Sequence, residues 1–549
     1  MLGQALVQPS VVKSYPANSL IIPMDVTYQN FGAFRAYGLV YKLLSSNVPV
    51  DWIIQPDKVY GAPDFTASAL DYRLGTTITN YPYRGGPFVI HQANRAAADP
   101  IVQAWLAQNT SVNVHIAEAP FTANVARALV AAPRIAVFND GNAAILFSYL
   151  NAAAIPDSQV NFWTTGSPDV LSPAAVAGAT TANHRDGALF DSNGVPRFSV
   201  FVSGHQNAAT VDLEAVAETG QFLMSRTMFV AQCQAVRSFE NNGHFITDQG
   251  VTVGAQPATV DYFFSGHPIA QDDGGFGTIG GSDPSILPTS IYSGSLGVDY
   301  FRILRGQTSP NADVVLFGHA FQNAAGGRVM YLGGHQYSVS LPLSTNPSSH
   351  GTRYFLNAIF AAPSAGLAQL ASAVSRKTHG TAGTFDITLP LTGAPGIECR
   401  SGGAGNDYQI VATWVEPVTL SGASVTAGAG SVSSTIGSGT NAITINLTGV
   451  ANAQTVTVTL SGVSAGGPPS NIAVPLGLLV GDTTGNGTVN ASDVGQTKAQ
   501  SGQLVNGTNF RTDVNASGSI SATDISLVKS QTGISLPPAP PTAKELTEK

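Results

Sequence analysis

Asp482-Thr483-Thr484-Gly485-Asn486-Gly487-Thr488-Val489-Asn490-Ala491-Ser492-Asp493 is answered, 31 residues on, by Asp513-Val514-Asn515-Ala516-Ser517-Gly518-Ser519-Ile520-Ser521-Ala522-Thr523-Asp524. In each stretch, oxygen-bearing side chains stand at positions 1, 3, 5, 9 and 12, with Gly at position 6. A loop with that spacing wraps a calcium ion. It offers hard oxygen donors on alternate residues, a sharp glycine turn, a closing carboxylate and a backbone carbonyl from position 7. The candidate ligands in the first loop are Asp482, Thr484, Asn486, Thr488, Asn490 and Asp493. In the second they are Asp513, Asn515, Ser517, Ser519, Ser521 and Asp524, giving two calcium ions in all. Val489 and Ile520, at position 8, are placed to pin each loop to a small core. A polar Asx-turn repeat without metal is the competing reading; two copies in one register favour the metal. With two carboxylates per loop, the sites are expected to bind calcium more weakly than acidic loops do, as suits calcium-rich extracellular fluid.

The repeat continues past the loops. Val494, Lys498 and Gly502 align with Ile525, Lys529 and Gly533, so each loop leads into a short helix that ends at Gly. On these residues, the segment from about 481 to 535 resembles a type I dockerin, the duplicated loop–helix module that docks onto cohesin domains. The resemblance implies a protein partner, a cohesin-like domain, and assigns partner recognition to positions 10 and 11, here Ala491-Ser492 and Ala522-Thr523. Thr484, Asn486 and Ser517 depart from the Asn at position 3 and Asp at position 5 that the family prefers, and the first helix is unusually polar (Gln496, Thr497, Gln500).

Composition fits an extracellular or cell-surface setting. Only 11% of the 549 residues are charged, with 58 Gly and 33 Pro, where ordinary globular chains carry roughly a quarter charged residues. The net charge of -8 is mild and scattered, which gives no nucleic-acid surface. No apolar run reaches the roughly 18 residues of a membrane span. Met1-Leu2-Gly3-Gln4-Ala5-Leu6-Val7 lacks the basic start and apolar core of a signal peptide. Cys233 and Cys399 are the only two cysteines, and sequence leaves open a disulfide between them or two small buried hydrophobes.

Texture divides the chain. Residues 18–362 alternate apolar runs such as Leu20-Ile21-Ile22, Trp52-Ile53-Ile54, Phe88-Val89-Ile90 and Ile135-Ala136-Val137-Phe138 with helical stretches around 31–44, 94–108, 122–131 and 142–153. That alternation predicts an α/β domain with a mostly parallel sheet. After a break at 362–365 and a short helical stretch to Lys377, residues 378–480 read as an all-β, Ig-like sandwich of alternating strands. The calcium module (481–535) and a Pro-rich tail (536–549) follow. The sandwich and module together, with Gly396-Ile397-Glu398-Cys399-Arg400-Ser401-Gly402-Gly403, resemble a C-terminal pair found on many large secreted bacterial proteins. The phrases Ser19-Leu20-Ile21-Ile22-Pro23-Met24-Asp25 and Gly351-Thr352-Arg353-Tyr354-Phe355-Leu356-Asn357 resemble uncharacterised members of that secreted group.

Chemistry, if present, belongs to the N-terminal domain. Thr227-Met228-Phe229-Val230-Ala231-Gln232-Cys233 runs from a strand directly into a helix, which puts a thiol near a helix N-terminus that favours thiolate. Arg328-Val329-Met330-Tyr331-Leu332-Gly333-Gly334-His335 is a strand ending in His. The order strand–Cys–helix and then strand–His resembles the class I glutamine amidotransferase-like fold, which implies Cys233 as nucleophile and His335 as base. Gln232 and Gln234 replace the usual flanking glycines, and no acid follows His335. Packed structural roles for both residues are the alternative. His205 and His319 also follow apolar runs; sharing a rim with His335 is one arrangement open to them, as a metal or acid–base cluster, but no zinc spacing supports metal there. Asp25 reads as the cap of the next helix, and 272–281 as a mobile loop near the crevice.

Two classes of function follow. One is an extracellular structural or assembly protein whose calcium module attaches it to a partner or to another copy of itself, as a homo-oligomer, filament or surface layer. The other is a secreted Cys–His hydrolase tethered by the same tail.

Overall fold

The computed structural model describes residues 11–179, 182–192, 194–254, 259–274, 281–282, 285–288, 301–307, 312–323, 326–362, 368, 370–390, 394–464 and 470–537. Most of the Gly-rich 272–281 stretch and all but the start of the Pro-rich tail lie outside them. The chain divides into two compact units, one running to Leu367 and the other beginning at Ala368.

The first unit is built on two sheets. One has eight strands, in the order Val11–Tyr15, Phe121–Leu129, Val50–Ile53, Phe88–Ile90, Leu20–Ile22, His115–Ala117, Phe65–Asp71 and Thr77–Tyr83. Every pairing in it is antiparallel. The other sheet is mixed. Val170–Leu171, Ile135–Phe138, Val200–Ser203, Met228–Gln232 and Arg328–Leu332 run parallel. Asp313–His319, Ser285–Pro288, Val251–Gly254, Phe301–Gly306 and Val260–Tyr262 continue it antiparallel. The expectation of a mostly parallel sheet is thus corrected: among the described residues of this unit, parallel pairing is confined to one half of one sheet. The reason lies partly in Phe121–Leu129. The Ala- and Arg-containing run read as a helix over 122–131 is a strand, paired on both sides with Val11–Tyr15 and Val50–Ile53. Tertiary pairing overrides weak helix propensity there.

Alternation along the mixed sheet divides the core in two. Met228, Val230, Met330 and Leu332 face one apolar cluster, which they share with Trp52, Phe88 and Leu20 of the other sheet. Phe229, Ala231, Val329 and Tyr331 face a second, with Phe222 and Phe239 from helices Leu213–Leu223 and Gln234–Gly243. Helix Ser349–Ala361 is buried at every one of its 13 positions, as expected of a helix with core on all sides.

In the second unit, a five-stranded sheet and a four-stranded sheet enclose one core. Ile410, Ala412, Trp414 and Ile445 come from the first, and Val456, Val458, Val474 and Leu476 from the second. The helical stretch expected before Lys377 is instead the strand Leu370–His379. Helices Ala491–Gln500 and Ala522–Ser530 follow, and a small core of Leu479, Val480, Val489, Val514 and Val528 holds them. Cys233 and Cys399 are both free thiols, so no disulfide joins them.

Candidate functional site

Each calcium-type loop is closed around its own carboxylates. Asp482 is fully buried and accepts hydrogen bonds from the amides of Gly485 (2.8 Å), Asn486 (3.1 Å) and Gly487 (2.7 Å). Asp493 accepts from the Thr484 amide (2.9 Å) with one oxygen and from the Asn490 amide (2.9 Å) with the other. The second loop repeats the plan. Asp513 accepts from the amides of Ser517 (3.0 Å) and Gly518 (2.8 Å), and Asp524 from those of Asn515 (3.2 Å) and Ser521 (2.9 Å). Gly487 and Gly518, at position 6, have φ of 85° and 91°, a conformation that side chains with a Cβ resist. Asp493 and Asp524 double as capping-box residues, which fixes each loop to the helix after it. Position 8 locks the two halves together. Val489 exchanges backbone hydrogen bonds with Ile534 and Gly533 beyond the second helix, and the Ile520 carbonyl accepts from Gly502 beyond the first.

This donor set fits a hard cation. All four Asp carboxylates are buried at 0% exposure, and ionised carboxylates are costly to bury unless they are paired. Among the described residues, no Lys or Arg forms an ion pair with any of them; His379 meets Asp513. For Asp513, burial pushes the carboxyl up, but the His379 hydrogen bond and the Gly518 and Ser517 amides outweigh it and hold the group below its ordinary value. The four recognition-position residues Ala491, Ser492, Ala522 and Thr523 are exposed.

A second constellation lies at the carboxyl ends of three adjacent parallel strands, where open α/β sheets place their crevices. His205 follows Val200–Ser203, Cys233 follows Met228–Gln232, and His335 follows Arg328–Leu332. One ligand-type atom from each lies within 4.8 Å of the others. The two imidazoles face each other at 4.1 Å between centroids. Cys233 joins strand to helix at φ 48° and ψ -121°, held by its amide donating to the Leu332 carbonyl (3.1 Å). Such a backbone costs a non-glycine residue about 1–3 kcal/mol and clusters at functional sites. The Cys233 side chain is fully buried. His335 Nδ1 lies 2.7 Å from Ser282 Oγ, so a hydroxyl stands where an acid completes other triads. The backbone amide of His205 and the Ser203 hydroxyl both donate to Asp140 (2.8 and 3.0 Å), which anchors that strand end.

Sequence reading left open whether Cys233 and His335 meet; the structure brings them together and sets His205 beside them. His319 does not join them. It pairs with Arg328, at the start of the strand that His335 follows, because Asp313–His319 runs antiparallel and finishes at the opposite end of the strands. Asp25 caps the short helix Val26–Gln29, accepting from the amides of Thr27 and Tyr28. The role of His379 at the second loop was not read from sequence; no motif marks it, since it lies 134 residues from Asp513.

Residues 480–531 match the family described as Dockerin type I domain. The chain therefore carries a dockerin, a calcium-binding module of protein–protein attachment typical of extracellular assemblies. No curated protein matches the chain. Among solved structures, Gan42B, a GH42 beta-galactosidase from G., aligns at 9% identity with a TM-score of 0.24, over 69% of this chain and 43% of that one. At that TM-score the likeness carries no argument about fold or chemistry, and the chain spans less than half of that enzyme's length. Among the described residues, no helix is long and apolar enough to cross a membrane.

Proposed function

We propose that this is an extracellular attachment protein whose calcium-loaded dockerin docks onto a cohesin-like domain and carries the N-terminal unit into an assembly. The observation that carries the reading is the doubled loop–helix. It closes around four buried carboxylates while Ala491-Ser492 and Ala522-Thr523 stay exposed. Asp482, Thr484, Asn486, Asn490 and Asp493 would hold one ion through side chains, with Thr488 giving its carbonyl; Asp513, Asn515, Ser517, Ser521, Asp524 and the Ser519 carbonyl would hold the other. Bound calcium neutralises the carboxylates and fixes the helix pair that presents the recognition residues. Titration calorimetry of the full chain against a panel of type I cohesin domains tests this. Binding in calcium that disappears in EDTA is expected; calcium-dependent self-association with no cohesin bound would replace the cohesin by a second copy of the chain, the route to a filament or layer.

A second reading is favoured by one observation, the strained Cys233 at a strand–helix elbow beside two histidines. In it, the N-terminal unit is the cargo, a Cys–His hydrolase of amidotransferase-like kind. The Cys233 thiol gives its proton to His335 and attacks the acyl carbon of an amide. The C–N bond breaks, the leaving amine takes the proton from His335, and water then hydrolyses the thioester to free acid and thiol. Selective labelling of Cys233 by iodoacetamide, lost in Cys233→Ser, supports this reading, whereas a Cys233 as inert as Cys399 removes it.

A further inference from the structure

The two calcium loops repeat in sequence but differ in what surrounds them. In the first loop, among the described residues, Asp482 and Asp493 accept only from donors of their own loop. The nearby Arg511 donates instead to the main-chain carbonyls of Thr483 (2.9 Å) and Asp482 (3.1 Å), and to that of Ile397 in the two-sheet body (3.3 Å), touching neither carboxylate. In the second, Asp513 is also met from outside. His379, at the end of strand Leu370–His379, is fully buried, with Nδ1 2.9 Å from Asp513 Oδ2. The other ring nitrogen, Nε2, lies 3.2 Å from Arg400 Nη1. Arginine has only donors, so Nε2 accepts and the proton sits on Nδ1, directed at the carboxylate. Arg400 is itself fully buried and clamped by Glu398 through two bonds of 2.7 Å. The backbones also meet. A Cβ at Gly380 would collide with the Ser517 carbonyl, and the Ser401 amide donates to the Val514 carbonyl (2.7 Å).

We propose that the two-sheet body supplies the outer shell of the second calcium site, with the chain Glu398–Arg400–His379 orienting Asp513, so that a carboxylate ligand of this ion is held from the body while the carboxylates of the first ion are not. A ligand held by an outer hydrogen bond loses roughly 10–100-fold in metal affinity when that partner is removed. His379 is thus a positioning residue for one of two ions that the repeat alone would make equal. The proposal rests on the dockerin reading of both loops as calcium sites.

Chelator-competition titration of the full chain tests it. Asp482→Asn isolates the second site and Asp513→Asn the first. His379→Ala is expected to weaken calcium about tenfold or more in the Asp482→Asn background and to leave the Asp513→Asn background unchanged. His379→Gln, whose amide can both accept from Arg400 and donate to Asp513, restores most of the loss. Equal loss at both sites, or loss at neither, overturns the proposal. Absence of calcium binding in the unmodified chain would instead remove the dockerin reading beneath it. Should His379→Ala fail to fold, hydrogen exchange decides. Calcium should protect amides of 370–379 in Asp482→Asn and not in Asp513→Asn; the same protection in both overturns it.

Discussion

Glu398 and Arg400 form an ion pair with both side chains at 0% exposure. Burial pushes the Glu398 carboxyl up, but the Arg400 charge, its hydrogen bonds and the Ser375 hydroxyl outweigh that and hold the group below its ordinary value. A carboxyl lowered in the folded state adds stability that is present above its unfolded value, near 4.5, and is lost as pH falls through the folded one. Urea melts of the chain in calcium should therefore show this pair's contribution unchanged from pH 7 to about 5 and fading below roughly 4.5. Arg400→Met leaves the buried Glu398 without its counter-charge, and is expected to cost about 3–5 kcal/mol at neutral pH. Cys399 illustrates the opposite environment. Burial is the main cause that pushes its thiol up to about 11, so it stays protonated and serves as the inert internal standard for labelling Cys233. The Glu398–Arg400 pair is local in sequence, two positions apart, but its surroundings are not. The Ser375 hydroxyl and the Phe385 carbonyl reach it from other strands, and the Cys399 thiol meets the Arg511 carbonyl 112 residues on.

Elements differ in how openly sequence states them. The doubled loop–helix was legible because its spaced oxygen side chains, its Gly and its caps are local and occur twice. Strands such as Ile135–Phe138 and Met228–Gln232 were legible as apolar runs, buried on both faces. Phe121–Leu129 and Leu370–His379 were not, and the signal was there to find. Phe121 and Ala123 alternate with Thr122 and Asn124, and Ala373 and Ser375 are the buried positions among more exposed neighbours. A period of two carried by Ala and Ser has little hydrophobic contrast, so helix-forming residues mask it. Helix Ser349–Ala361 makes a prediction at this scale. Leu356 is fully buried in a helix with no solvent face. Leu356→Ala is expected to destabilise the first unit by about 2–5 kcal/mol, read as a lowered melting transition.

For the whole molecule, calcium is the expected source of the second unit's stability. A ligand that binds only the folded state adds about 2.7 kcal/mol per site when its concentration is a hundredfold above the dissociation constant. Calorimetric melts in calcium and in EGTA should show the transition of the second unit falling on chelation. An unchanged transition would sink both the calcium sites and the docking they support.

Sequence by itself showed the doubled loop–helix with its glycines and caps, and the thiol at a strand–helix junction, because each depends on residues close along the chain. For Cys233 and His335 it left open a nucleophile–base pair, implied by a resemblance, and two packed structural residues. Tertiary structure alone decided which half of one sheet is parallel, which histidines reach the thiol, and that His379 meets Asp513. Those depend on strand pairing between distant segments, where a change of direction moves a side chain such as His319 to the opposite end of the strands. The same physics makes two nearly identical loops unequal: their own residues repeat, but only one of them is touched by a buried imidazole from another element.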